Sequence, residues 1–126
     1  MSNDTNAAGV IKVLQDNNLQ GVAVSGQDAN VAGLQNILLG WQTATVYKPV
    51  LDEATAAVDV ATSLLNGEDV STDAELEDGT PYIQVTPILV GPGEVKDVIA
   101  AGDAAYDDVC TPDVLAACEA NGVVAP

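Results

Sequence analysis

The chain alternates helical and strand-like hydrophobic patterns, and the alternation begins with a helix. Apolar residues recur at helical spacing over 7–14, and a short apolar run follows at 22–24. A second helical pattern at 31–38 precedes 43–47, a β-branched and aromatic segment typical of a strand. Alternation of this kind predicts an α/β fold with a parallel sheet. Asn3 or Asp4 is predicted to cap the first helix, Asp28 or Asn30 the second.

The later part of the chain continues the alternation, with fewer strands. The predicted elements are a long helix at 51–65, a strand at 82–87 continued by 88–90, and short helices at 94–101 and from 111; 68–80 is predicted as an acidic loop. So few strands leave much of the apolar face of a sheet uncovered, and a doubly wound sheet normally begins with a strand. The first residues lack a signal-peptide pattern. We therefore expect the chain to be the C-terminal part of a larger protein.

Charge composition excludes several classes of function. The chain carries 19 acidic residues against three lysines, a net charge of -16, with no histidine or arginine. So acidic a surface repels phosphate backbones, which argues against nucleic-acid binding. Without histidine there is no Ser-His-Asp triad and no His-ligated zinc, and the acidic segments lack EF-hand spacing. We expect a binding module with no cofactor and no metal, rather than an enzyme.

Two cysteines, Cys110 and Cys118, lie eight residues apart near the end of the chain. In an oxidising compartment they would close one short loop, which stabilises the fold by roughly 2.5 kcal/mol on the chain-entropy estimate. In a reducing compartment they would be two buried thiols. We predict the disulfide.

Three polar residues follow predicted strands or begin helices where ligands bind in open α/β sheets. They are Asn3, Asp28 and Lys48. An amide, a carboxylate and an ammonium together suit a neutral ligand with several hydroxyls, and the carboxylate would repel a phosphate. Each residue also has a purely structural interpretation: Asn3 and Asp28 as helix caps, and Lys48 as a solvated lysine or a partner of Asp28. Trp41 could stack on a sugar ring or fill the space after a helix end.

Two segments resemble the periplasmic D-xylose-binding proteins, the substrate-binding components of sugar ABC transporters. They are Val-Ser-Gly-Gln-Asp-Ala-Asn at 24–30 and Gln-Thr-Ala-Thr-Val-Tyr-Lys-Pro at 42–49. Those proteins belong to the ribose/galactose-binding superfamily, and Asn3-Asp4 is similar to an Asn-Asp pair in the second lobe of its members. The segment around Cys110 and Cys118 resembles secreted actinobacterial members.

The resemblance implies an incomplete type I periplasmic-binding-protein fold in which the first lobe is absent. Residues 1–47 would be part of the second lobe, 48–86 a hinge crossing and a helix of the first lobe, and 87–126 the return with the cysteine pair. Asn3, Asp28 and Lys48 would hydrogen-bond D-xylose or a similar aldose; Trp41 is not assigned to this site. The location implied is extracytoplasmic, and the partner of the full-length protein is a membrane permease.

The missing lobe would leave the helix at 51–65 without its packing partner. Its apolar stripe would then form a homodimer contact, and it consists of Ala54, Ala57, Val58, Ala61 and Leu65. The alternative function is therefore a half-lobe that binds no sugar and acts through self-association or a protein partner.

Overall fold

A computed structural model describes residues 1–125. The chain divides into two compact units, one formed by 1–47 and the segment from Ile88 onward, the other by 48–87. The elements are, in chain order, helices α1 (Asp4–Asp16) and α2 (Val31–Leu38), strand β1 (Thr45–Tyr47), helix α3 (Val50–Asn66), strands β2 (Ala74–Glu75), β3 (Pro81–Tyr82) and β4 (Ile88–Val90), and helices α4 (Val95–Ala100), α5 (Tyr106–Val109) and α6 (Leu115–Ala120). Within the described residues no helix is both long enough and apolar enough to cross a membrane.

Asparagine side chains start the first two helices. Asn3 caps α1 by accepting a hydrogen bond from the backbone N–H of Asn6, and Asn30 caps α2 by accepting from Gly33 N–H at 2.8 Å. These bonds satisfy backbone donors that have no partner inside the helix. Helix α2 is followed by Gly40 with φ of 77°, a left-handed conformation that glycine adopts without steric cost. Gly40 therefore acts as the stop of α2.

Strand β1 has a parallel neighbour and an antiparallel neighbour. Residues 24–28 run parallel to 43–46, through hydrogen bonds from Thr43 N–H to Val24 O and from Gly26 N–H to Ala44 O. Strand β4 pairs antiparallel with β1, with Thr45 opposite Val90 and Tyr47 opposite Ile88. The α/β class is confirmed. The predicted parallel pairing is present between 24–28 and 43–46, whereas β4 joins the sheet antiparallel. The chain leaves β1 at Tyr47 and comes back directly beside it, so the returning strand runs the opposite way.

The first unit has two apolar clusters. The larger holds α2, the sheet and the C-terminal helices together through fully buried side chains: Leu34, Ile37, Val90, Val95, Val98, Val109, Cys118 and Val123. Gln35 adds a polar tie, since its Nε2 donates to the backbone carbonyls of Asp108 and Val109 at the end of α5. The smaller cluster comprises Ala7, Ile11 and Val24, with Leu14 and Trp41 packed against it.

The two cysteines form a disulfide within the larger cluster. Cys110 and Cys118 are bonded, with their Cα atoms 6.0 Å apart. Both side chains are buried. The pairing predicted for an oxidising compartment is therefore the one present in the structure.

The second unit is a long helix followed by a small hairpin. The predicted long helix is confirmed as α3, which is followed by Gly67 in a left-handed conformation. None of its residues is buried. Strands β2 and β3 pair antiparallel across a turn that contains Gly79.

Several predicted elements differ in extent from those observed. The short apolar run at 22–24 leads into a single bridge at Ser25 rather than a regular strand, and the strand predicted at 82–87 is reduced to Pro81–Tyr82. The acidic loop at 68–80 contains β2, and α5 lies in a stretch for which no helix was predicted. These short elements depend on partners distant in sequence, so local patterns do not reveal them.

Candidate functional site

Asn3 lies at the start of α1, half-buried. Its side-chain oxygen accepts the Asn6 N–H at 3.0 Å, so the structural interpretation of Asn3 as a helix cap is confirmed. Because the oxygen is used in this way, the amide NH₂ group is the part of Asn3 suited to contact a ligand, as a donor.

Asp28 is the last residue of the parallel segment, residues 24–28, and lies in a strained turn just before α2. Its φ is 94°, and that of Ala29 is 50°, both in the region that disfavours residues with a Cβ. The interpretation of Asp28 as the cap of α2 is wrong, because Asn30 provides that cap. The Asp28 side chain is exposed, and Gln27 Nε2 approaches its Oδ1 at 3.5 Å. Two adjacent left-handed non-glycine residues are costly, and such strain is concentrated at functional sites.

Hydrogen bonds hold three successive backbone N–H groups of this turn. Asp28 N–H donates to Val46 O at 2.8 Å, and Ala29 N–H donates to Thr45 Oγ1 at 3.3 Å. Asn30 N–H donates to Asp4 Oδ2 at 3.0 Å. The turn is therefore determined by β1 and the start of α1, and its strain is offset by these bonds.

The structure brings the segments of Asn3 and Asp28 together. Asp4 N–H, next to Asn3, donates to Gln27 O, next to Asp28, at 2.9 Å. Both residues thus lie where the parallel segment ends. Lys48 follows β1 directly and is half-buried; it is the first residue of the second unit.

Sequence reasoning missed Asp4 as a buried residue. Its carboxylate is 1% exposed. Oδ1 accepts hydrogen bonds from Gln42 Nε2 and from the Thr45 hydroxyl, both at 2.8 Å. An acidic residue in the first turn of a helix is ordinarily solvated and interacts favourably with the helix dipole. No local signal therefore marks the burial of Asp4.

Trp41 packs beside α1 and is half-buried against Ala7, Ile11 and Val24. This placement agrees with its structural interpretation, the filling of space after the end of α2.

Among residues 1–125 no three potential metal-ligating side chains lie together.

Comparison with known proteins identifies the family. Residues 1–69, more than half of the chain, match the periplasmic binding protein domain. The chain belongs to this family. It is 42% identical over 102 residues to the D-xylose-binding periplasmic protein of Escherichia coli (strain K12), and 38% identical over 102 residues to the protein of the same name in Haemophilus influenzae. Each alignment covers 78% of this chain and 31% of the relative, so the chain spans about a third of their length.

Solved structures of solute-binding proteins have the same fold over most of this chain. A carbohydrate transporter solute-binding protein from Chloroflexus aurantiacus, in complex with D-glucose, superposes with a TM-score of 0.77 at 27% identity, over 85% of this chain and 33% of that one. An ABC transporter solute-binding protein from Clostridium phytofermentans, with bound β-D-glucose, gives a TM-score of 0.75 at 23% identity, over 85% and 35%. The predicted resemblance to D-xylose-binding proteins is confirmed, and so is the periplasmic-binding-protein character of the fold.

Proposed function

We propose that the chain is part of the substrate-binding component of a sugar ABC importer and binds D-xylose or a similar aldose. The observation that carries the proposal is the strained turn that presents the exposed Asp28 carboxylate, in a chain 42% identical to a D-xylose-binding protein. Asn3, Asp28 and Lys48 are the proposed sugar contacts.

The chemistry of these groups suits a neutral sugar. The Asp28 carboxylate accepts hydrogen bonds, the Lys48 ammonium donates them, and the NH₂ group of Asn3 donates as well. Each sugar hydroxyl both donates and accepts, so a mixed set can satisfy several hydroxyls at once. No cofactor enters this chemistry, and we propose a binding protein rather than an enzyme.

The division into two units supports an assignment of the chain to lobes. We assign 1–47 and 87–126 to the second lobe, and 48–86 to a hinge crossing and a helix that belongs to the first lobe in a longer protein. The observed boundaries of the units lie at 47/48 and 87/88. Because the chain covers 31% of its relatives' length, we expect the isolated chain to bind aldoses only weakly.

We further propose that the full-length protein is extracytoplasmic and delivers its sugar to a membrane permease. The support is the periplasmic location stated in the relatives' names and the Cys110–Cys118 disulfide, since disulfides persist in oxidising compartments.

Sugar binding is tested by titrating the ¹⁵N-labelled chain with D-xylose, D-glucose and the acyclic polyol mannitol. We expect the aldoses to shift the amide resonances around Asn3 and Asp28. Asp28→Ala should weaken binding by about tenfold or more, because it leaves sugar hydroxyls without a charged acceptor. Asp97→Ala is the matched control, since Asp97 is an exposed carboxylate on α4.

Two results would contradict the proposal. Equal affinities of the Asp28→Ala and Asp97→Ala variants would remove Asp28 from the site. The absence of any aldose-specific shift in the wild-type chain would contradict sugar binding by these residues.

A second candidate function, self-association through α3, is supported by the exposure of this helix. Leu51 is 73% exposed, and Leu65 89%. Pairing two copies over several hundred Å² would contribute several kcal/mol at about 25 cal/mol per Å². Light scattering should show a dimer that Leu65→Glu dissociates and Thr55→Glu, outside the apolar stripe, does not. A stable monomer at high concentration would contradict this candidate.

A further inference from the structure

A carboxylate with three donors lies beneath the Asp28 turn. Asp4 accepts from Asn30 N–H through one oxygen, and from Thr45 and Gln42 through the other. Asp4 and Thr45 are both at most 1% exposed. Burying a carboxylate is costly unless hydrogen bonds compensate for its lost hydration, and these donors supply that compensation.

The donor and acceptor roles in this arrangement fix the orientation of the Thr45 hydroxyl. An ionised carboxylate only accepts hydrogen bonds, so the Thr45 hydroxyl hydrogen lies toward Asp4 Oδ1. The lone pairs of Thr45 Oγ1 then remain available for the N–H of Ala29, at 3.3 Å. Asp4 therefore acts on the turn twice, directly at Asn30 and through Thr45 at Ala29.

Two glycines from different elements make room for this carboxylate. A Cβ at Gly26, in the parallel segment, or at Gly33, in α2, would overlap the Asp4 side chain. Both glycines are buried and neither has a positive φ. Their role is therefore one of space rather than of backbone conformation.

We propose that Asp4 and Thr45 are positioning residues for the sugar contact at Asp28, which they hold in its left-handed conformation without touching the ligand. The relation of Asp28 to sugar rests on the proposed function, whereas the positioning of the turn does not. Without the two bonds from this pair, the turn loses two of the three backbone hydrogen bonds that offset its strain, and the Asp28 carboxylate leaves its place at the end of the parallel segment.

The test uses near-isosteric variants of the whole chain. Thr45→Val removes the hydroxyl, and Thr45→Ser retains it. Asp4→Asn introduces an NH₂ group, which can donate to Thr45 Oγ1 where the carboxylate could only accept from it. Hydrogen exchange of the Ala29 and Asn30 amides and the HN–Hα coupling of Asp28, which reports φ, are measured without sugar. The Val123 amide, bonded to Cys118 O at 2.9 Å in the same unit, is the internal reference.

We expect Thr45→Val and Asp4→Asn to speed exchange at Ala29 by about tenfold relative to Val123, the effect of losing one buried hydrogen bond. The coupling of Asp28 should change with it, and Thr45→Ser should restore both. The proposal would be overturned if exchange at Ala29 and Asn30 changed only in proportion to exchange at Val123 and the HN–Hα coupling of Asp28 stayed the same. In that case Asp4 and Thr45 would stabilise the whole unit without positioning the turn.

Two further outcomes are informative. If neither Thr45→Val nor Asp4→Asn folds, wild-type exchange decides: protected Ala29 and Asn30 amides support the proposal, and free-peptide rates overturn it. Aldose titration of the same samples separates the two proposals. A turn that responds as expected in a chain that binds no aldose supports positioning while the proposed function fails.

Discussion

Replacing Gly33 by alanine reverses the usual sign of a glycine-to-alanine change in a helix. In an ordinary helix interior this change stabilises by about 1 kcal/mol. At Gly33 the new Cβ overlaps the Asp4 carboxylate and lies 3.0 Å from the Asp4 Cβ. The Asp4 side chain and α2 must therefore move apart.

The magnitude follows from what this separation disrupts. Overpacking a filled interior costs about 1–3 kcal/mol, and weakening the bond from Asn30 N–H to a charged acceptor costs about 1.5–3 kcal/mol. After subtraction of the helix gain, Gly33→Ala should lower the free energy of unfolding by about 1.5–5 kcal/mol. Gly9→Ala is the matched control, because Gly9 lies inside α1, is exposed, and a Cβ there meets nothing within 4 Å. That variant should be more stable than wild type by about 0.5–1 kcal/mol.

Urea unfolding followed by fluorescence measures both changes, since Trp41 is the single tryptophan and packs in the first unit. The same Gly33→Ala substitution made in an Asp4→Ala variant measures the coupling between Gly33 and Asp4. There, Gly33→Ala should cost much less, because the carboxylate it displaces is gone. The reasoning is refuted if Gly33→Ala is as stable as Gly9→Ala, or if its cost is the same with and without the Asp4 carboxylate.

Three further predictions concern other parts of the chain. Intact-mass analysis should show the Cys110–Cys118 disulfide as a loss of two hydrogens that reductant reverses, and reduction should destabilise the fold by roughly 2.5 kcal/mol; two freely alkylated thiols would contradict it. Trp41→Ala should lower stability by about 3 kcal/mol or more while the aldose-induced shifts at Asp28 persist, and their selective loss would place Trp41 in the site. The pKa of Asp78 lies below its ordinary 3.8, because the Thr80 backbone N–H and hydroxyl bond its carboxylate. Its stabilisation of the hairpin turn should therefore be present at neutral pH and lost as the pH falls through the lowered pKa, and an NMR titration showing an ordinary or raised pKa would disprove this.

Local patterns were sufficient to predict the longer helices and their ends. Helix α3 was predicted within a residue or two at each end, because its apolar spacing acts over single turns. The Asn3 cap and the Gly40 stop depend on neighbours three or four residues away. The family was also predictable from the sequence, through residues 24–30 and 42–49.

Tertiary structure alone decided the direction of β4, the left-handed turn at Asp28 and the burial of Asp4. Each depends on hydrogen bonds between residues far apart in the chain: the three donors to Asp4 lie 26, 38 and 41 positions away. Locally, Asp28 is a plausible helix cap and Asp4 a plausible solvated residue of a first turn. A carboxylate becomes stable in an interior only when folding brings enough donors to it, and the spacing of residues along the chain does not show where those donors converge.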